Sequence, residues 1–206
     1  MVSSRTSPSP TSPTGSTGHE RSGVQPSAGS AGEVTGYTLF DTNAGRCGVA
    51  WGPRGLRALQ LPEADDGETV AQLTDAVPDA RPMEPPASVH DALDQIVALL
   101  NGEAGDLSSV ELDMTGVPPF HRRVYQLIRT VPPGETITYG EAATLLGSPG
   151  AARAVGQAMR RNPFPLVVPC HRVVAAGGKL GGFSANGGLA TKVELLALET
   201  PSAPTP

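Results

Sequence analysis

The sequence predicts an α+β fold in two parts: a small N-terminal domain built on a three-stranded sheet, then a helical C-terminal domain carrying a helix-turn-helix. Three observations predict it. Short β-prone runs at residues 37–40, 46–51 and 56–61 are separated by the turn sequences Asn43-Ala44-Gly45 and Gly52-Pro53-Arg54-Gly55. After Pro118-Pro119 the apolar residues Phe120, Val124, Leu127 and Ile128 recur at helical spacing. Thr138 and Glu141 then spell a Thr-x-x-Glu capping box ahead of Ala142, Ala143, Leu145 and Leu146.

The chain has 206 residues, room for one or two compact units at roughly 100–200 residues each. Residues 1–33 are almost wholly Ser, Thr, Pro and Gly with scattered charges, a composition that cannot bury enough apolar surface to offset the entropy of ordering. They are expected to be a disordered tail, with a second short tail at 201–206. The N-terminal domain is assigned to 34–114. Its three runs form a meander, Val89, Leu93, Ile96, Val97 and Leu100 share a helix face, and residues 110–114 return as a strand.

The C-terminal domain is assigned to 115–200. Its first helix ends at Val131-Pro132-Pro133-Gly134, the second starts at the capping box and closes at Gly147, and Ser148-Pro149 caps a third through about Arg161. Spacing alone fits a helix-turn-helix and a plain αα-hairpin equally. The make-up of the last helix favours DNA: Ala151, Ala152, Ala154, Gly156 and Ala158 leave a bare surface, while Arg153, Arg160 and Arg161 supply cations.

Charge divides the same way. Residues 1–114 hold 6 Lys/Arg against 16 Asp/Glu and residues 115–206 hold 9 against 4, so any phosphate-binding surface belongs to the second part, through Arg122, Arg123, Arg160 or Arg161. Two cysteines without a signal peptide point to a reduced, cytoplasmic protein. No CxxC or HxxxH spacing supports a metal site, and no apolar run approaches the roughly 20 residues needed to span a bilayer, so no membrane partner is expected.

The chemically informative run is residues 162–174, Asn-Pro-Phe-Pro-Leu-Val-Val-Pro-Cys-His-Arg-Val-Val. Thiolate is the nucleophile, and a cysteine reaches that state near neutral pH only beside a base or a positive dipole. His171 adjoins Cys170, but adjacency does not bring imidazole onto a neighbour's sulfur. A bridging water or a turn must do so, and a third group must orient the histidine. For an arbitrary Cys-His pair, a buried structural pair is the commoner case.

Residues 169–174, Pro-Cys-His-Arg-Val-Val, resemble the active-site signature of the O6-alkylguanine-DNA alkyltransferases, or methylated-DNA–protein-cysteine methyltransferases. Val131-Pro132-x-Gly134, Tyr139-Gly140, the run 151–156, Arg161-Asn162-Pro163, Gly181-x-Phe183-Ser184 and Gly187-Gly188-Leu189-x-x-Lys192 stand in that family's order. The resemblance spans about residues 36–199. It implies an RNase H-like N-terminal domain and irreversible transfer of an alkyl group from O6-alkylguanine in double-stranded DNA to Cys170. It implies no cofactor, action as a monomer and a nucleoid-associated place in the cytoplasm.

Family roles carry over position by position. Cys170 is implied to be the acceptor, His171 the base acting through a water, and Glu199 the carboxylate orienting it, with Glu194 as the alternative. Asn162 holds the turn bearing the cysteine, Tyr139 crowds the target phosphate and donates to guanine, and Arg153 enters the stack in place of the extruded base. Ala151, Ala152, Gly156, Arg160 and Arg161 meet DNA. Ser184 helps hold O6, and Met159, Pro165, Phe183 and Val173 form pocket walls. The loop 184–188 is two residues longer than the family's shorter form. Cys47 with His90 does not reproduce the zinc ligands of some members, and Cys47 is expected in the core. Two rival readings remain: an alkyltransferase-like protein that only recognises damage, and a helix-turn-helix regulator responsive to alkylation.

Overall fold

The computed structural model describes residues 34–103 and 105–200; the tails expected at 1–33 and 201–206 lie outside the described residues. β1 (Gly36–Thr42), β2 (Gly45–Gly52) and β3 (Gly55–Gln60) form the expected antiparallel meander. The second turn closes at Gly55, whose φ of 118° suits glycine; an added Cβ there would also lie 2.4 Å from the Glu111 carbonyl.

β2 serves both faces of the sheet, as a period of two requires. Cys47, Val49 and Trp51 are buried in the larger core cluster together with Val89, Leu93 and Ile96, whereas Ala50 is buried with Ala58, Leu73 and Val77 in a smaller one. Cys47 is a core residue, as expected. The smaller cluster rests on a helix that sequence periodicity does not predict, α1 (Asp66–Ala76), capped by the Asp65 carboxylate accepting from Glu68 N at 2.8 Å.

After α1 the chain runs back beside β1. β4 (Arg81–Pro82) pairs with it in parallel, so the sheet is four-stranded in the order β3-β2-β1-β4 rather than three-stranded. Pro82 is tolerated because β4 is an edge. α2 (Ala87–Leu100) follows as predicted and buries Val89, Leu93, Ile96 and Leu100. The strand expected at 110–114 contracts to a single bridge between Leu56 and Leu112. The Asp113 side chain turns away to pair with Arg54 at 3.2 Å and to accept from Thr115 N at 3.0 Å, which ends the pairing.

The remaining elements are α3 (Pro119–Ile128), β5 (Ile137–Thr138), α4 (Tyr139–Leu145), α5 (Ala152–Arg160), a 3-10 turn at Cys170–Arg172, β6 (Val173–Val174) and α6 (Leu189–Leu198). The capping box is complete: Glu141 N donates to Thr138 Oγ1 at 3.1 Å and Thr138 N to Glu141 Oε2 at 2.8 Å. Such a cap contributes about 1 kcal/mol. α5 starts later than predicted. Its N-cap is Ala151 without a side-chain hydrogen bond, because residues 148–151 form a turn closed by Ala151 N on Ser148 O. One core cluster runs from β2 and β3 through α2 to α3 and α5, so residues 34–114 and 115–200 share it. Among the described residues, no helix is long and apolar enough to cross a membrane.

Candidate active site

The segment between α5 and Cys170 is fixed at both ends. Tyr125 in α3 is buried and donates its hydroxyl to Ala158 O at 3.0 Å and Arg161 O at 3.1 Å, satisfying carbonyls that the end of α5 leaves open. Its ring meets the fully buried Phe164 edge-on at 6.4 Å. Asn162 then folds the loop: Nδ2 donates to Val168 O at 2.8 Å and Oδ1 accepts from Phe164 N at 3.0 Å. Within that loop Leu166 takes φ 69°, a left-handed conformation costly for a branched side chain. The chain thus delivers Cys170 at the start of a 3-10 turn, 8% exposed.

β6 continues from that turn and pairs in parallel with β5, Ile137 opposite Val173 and Thr138 opposite Val174. That pairing places Tyr139, the first residue of α4, over the cysteine. Tyr139, Gly156, Met159, Arg160, Cys170, Gly182, Phe183 and Ser184 line one cavity of about 660 Å³. Gly181, with φ 71°, lets the tyrosine ring approach, since an added Cβ would stand 3.3 Å from it. An adjoining cavity of about 610 Å³ shares Arg160, Cys170, Phe183 and Ser184 and adds Pro165, Asn162 and residues of β3 and α1.

Behind the cysteine lies a buried ionic cluster. His171 Nε2 is 2.7 Å from Glu199 Oε1, and both side chains are about 1% exposed. Arg172 grips the same carboxylate through Nε at 2.9 Å and Nη2 at 2.6 Å, and Gly134 N donates to it at 3.3 Å. His171 Nδ1 is buried and makes no hydrogen bond among the described residues. Lys192, fully buried, donates to the carbonyls of Val173 and Leu180.

These contacts set the charges. Burial pushes the Cys170 thiol up, opposed by Asn162 and by the Lys192 charge. Burial pushes His171 down, opposed by Glu199, so the ring is neutral near pH 7. For Glu199 burial acts upward, yet the hydrogen bonds and charges of His171 and Arg172 prevail and hold its carboxyl at about 2. Burial, and then the Cys170 charge, raise the Tyr139 hydroxyl, which stays a donor. No group of His, Cys, Asp and Glu among the described residues could hold a metal ion.

A profile of the 6-O-methylguanine DNA methyltransferase DNA binding domain matches residues 119–201. A methylated-DNA–protein-cysteine methyltransferase of Mycolicibacterium paratuberculosis is 48% identical over 121 residues, 59% of this chain and 71% of the relative. The chain belongs to the methylated-DNA–protein-cysteine methyltransferase family. A crystal structure of Mycobacterium tuberculosis O6-methylguanine methyltransferase matches with a TM-score of 0.66 at 36% identity, over 84% of this chain and 97% of that one. The structure of the Mycobacterium tuberculosis protein in complex with DNA matches with a TM-score of 0.63 at 37% identity, over 79% and 92%.

Most of the site residues that the family resemblance implies are brought together here, and some are not. Cys170, Tyr139, Gly156, Met159, Arg160, Phe183 and Ser184 meet in the first cavity, and Pro165 and Arg161 line the second. Glu199, not the exposed Glu194, reaches His171. Arg153 lies exposed on α5, lining neither cavity, and Ala151 and Ala152 are half-buried at that helix's start. Val173 is a correction. It is fully buried in β6 with its carbonyl on Lys192 and lines neither cavity, because strand pairing turns it into the core. In the longer loop, Asn186 Nδ2 reaches Pro62 O at 3.4 Å, tying it to the end of β3. Tyr125, Arg172 and Lys192 are structural parts of the site to which sequence reasoning gave no role; the last two lie inside the matched motifs.

The low Glu199 value carries a stability prediction. A carboxyl depressed from 4.5 to about 2 on folding stabilises the native state fully above its unfolded value, and this is lost as pH falls towards 2. Glu199→Gln also leaves the Arg172 guanidinium buried without its countercharge, at a cost of about 3–5 kcal/mol. Urea unfolding between pH 7 and 3 should show the variant less stable at pH 7 and with a flatter fall through the acid window. Equal slopes in both proteins would show that Glu199 does not govern it.

Proposed function

We propose that this chain repairs DNA by direct reversal: it extrudes O6-alkylguanine from the duplex and transfers the alkyl group irreversibly to Cys170. The observation that carries this reading is a nearly buried cysteine lining a cavity of about 660 Å³, with His171 and Glu199 paired at 2.7 Å next to it in the chain's fold.

A base within the stack cannot present its O6 substituent in line with a sulfur, so the nucleotide must rotate out, at a cost of a few kcal/mol. α4 and α5 serve as a helix-turn-helix whose second helix, bare at Ala151, Ala152 and Gly156, lies in the minor groove. Arg153 fills the vacated place in the stack, and Arg160 and Arg161 meet phosphates. In the cavity the Cys170 thiol gives its proton, through a water, to His171 Nδ1, while Glu199 holds the Nε2–H. Sulfur attacks the alkyl carbon, the carbon–O6 bond breaks, and its electron pair leaves on guanine. The Tyr139 hydroxyl and the Ser184 region donate to the developing charge. Met159, Phe183 and Pro165 form the walls, and Asn162 holds the acceptor turn. The thioether has no water-labile bond, so each molecule acts once, and the electron balance needs no cofactor.

The same reading takes residues 34–114 as an RNase H-like domain, supported by the strand order β3-β2-β1-β4 with its parallel edge, and 115–200 as the DNA-binding acceptor domain. One chain carries every residue of the site, which supports action as a monomer, and the duplex substrate implies work at the nucleoid in the cytoplasm. A protein that only flags damage has no need of an acceptor thiol in its cavity. The test is intact-protein mass after incubation with duplex containing one O6-methylguanine. One methyl group per protein on Cys170 is expected; an unchanged mass, or turnover beyond one equivalent, would remove the proposal.

A further inference from the structure

We propose that Arg172 is a positioning residue in the relay: clamped on Glu199, it limits that carboxylate's hold on His171 and leaves Nδ1 available for the Cys170 proton. The clamp is two-pronged. Nε and Nη2 hold the two carboxylate oxygens at 2.9 and 2.6 Å, and Oε1 is the oxygen that His171 Nε2 reaches at 2.7 Å. Nη1 donates to Val131 O, anchoring the fork to the loop after α3, from which Gly134 N also reaches Glu199.

A carboxylate alone beside a buried imidazole favours imidazolium, which has no lone pair to accept a proton. Burial of the ring opposes this most, and a guanidinium sharing that carboxylate adds to the opposition. The charged and titratable groups around the ring are Arg172 and Cys170 on its own turn, and Glu199 and Lys192 from the α6 segment; Asp106, from the loop before α3, faces Arg172. Two cations thus act on His171 against one contacting carboxylate. Removing the Arg172 charge leaves Glu199 to pair with His171 alone, and the ring then holds a second proton at pH values where it should be a base. A lysine would keep the charge but lose the fork.

The inference rests on the proposed acceptor role of Cys170 only for its kinetic arm. Nitrogen-edited NMR of the His171 ring in unmodified protein, without DNA, reads protonation directly. Arg172→Met should raise the His171 midpoint by about one unit or more, and Arg172→Lys should leave it near wild type. Arg172→Gln, which retains a donor for Glu199, gives the same neutral-charge comparison if the methionine variant does not fold. In parallel, the acid limb of the rate of transfer from free O6-benzylguanine should move up with the midpoint. A midpoint unchanged in the folded neutral variant, or equal shifts in the lysine and neutral variants, would overturn the proposal. A shifted midpoint with no transfer in wild type would uphold it and sink the acceptor reading instead.

Discussion

Cys170→Ala should abolish alkyl transfer while leaving affinity for duplex containing O6-methylguanine within about twofold of wild type. Sulfur is a reactant, so nothing else in the cavity replaces it. The other cysteine, Cys47, is fully buried in β2, and burial holds its thiol up at about 11, so it offers neither access nor thiolate. Binding is different. Cys170 is 8% exposed and lines a cavity that Tyr139, Met159 and Phe183 also line. Its loss removes little contact with an extruded base and none with phosphates. Intact mass reads the first half of this expectation and fluorescence anisotropy the second. Stoichiometric methylation of the alanine variant would end the acceptor assignment; a hundredfold loss of binding would mean that the cysteine organises the cavity.

What was legible in the sequence was local or carried by a continuous motif. The capping box at Thr138 and Glu141 is four residues long and needs no tertiary partner, and the two turns of the meander are spelled by their own glycines. α1 has the same kind of start signal in Asp65 and Glu68, but it buries only Thr69 and Leu73, too few apolar positions for periodicity to register. β4 exists only because the chain returns beside β1, a tertiary pairing of two residues that includes a proline. The His171–Glu199 pairing spans 28 positions and came from family resemblance, not from spacing.

The sequence places phosphate contacts at Arg122, Arg123, Arg160 or Arg161 in a part with nine cations, and a buried cation and a surface cation look alike in sequence. Arg172 and Lys192 are buried in the site. Arg122, Arg123 and Arg129 donate to backbone carbonyls at Met114, Leu146 and Ser108, bracing α3 against its neighbours. The other four, Arg153, Arg160, Arg161 and Lys179, are exposed, as are Arg122 and Arg123, and Arg153, Arg160 and Arg161 lie along or just beyond α5. Net charge therefore overstates the number of surface cations that this part of the chain presents.

Arg153→Ala should slow transfer from duplex O6-methylguanine by about 30- to 100-fold, yet slow transfer from free O6-benzylguanine by no more than about twofold. α5 buries Val155, Ala158 and Met159 and turns Arg153 outward from its first turn, where the side chain contacts neither cavity. The α5 N-cap has no side-chain hydrogen bond, so no side chain of α5 caps the first-turn amides beside the arginine. On the proposed function, Arg153 stabilises the extruded state by occupying the gap in the stack. Extrusion costs a few kcal/mol, and about 2–3 kcal/mol of lost compensation corresponds to the stated range at 1.4 kcal/mol per tenfold. The free base needs no extrusion and enters the same cavity, so its rate isolates the chemistry. Because Arg153 is exposed, thermal stability should be unchanged, which separates this result from a folding defect. Equal losses on both substrates would mean that Arg153 shapes the cavity, and no loss on duplex would move the intercalating group elsewhere on α5.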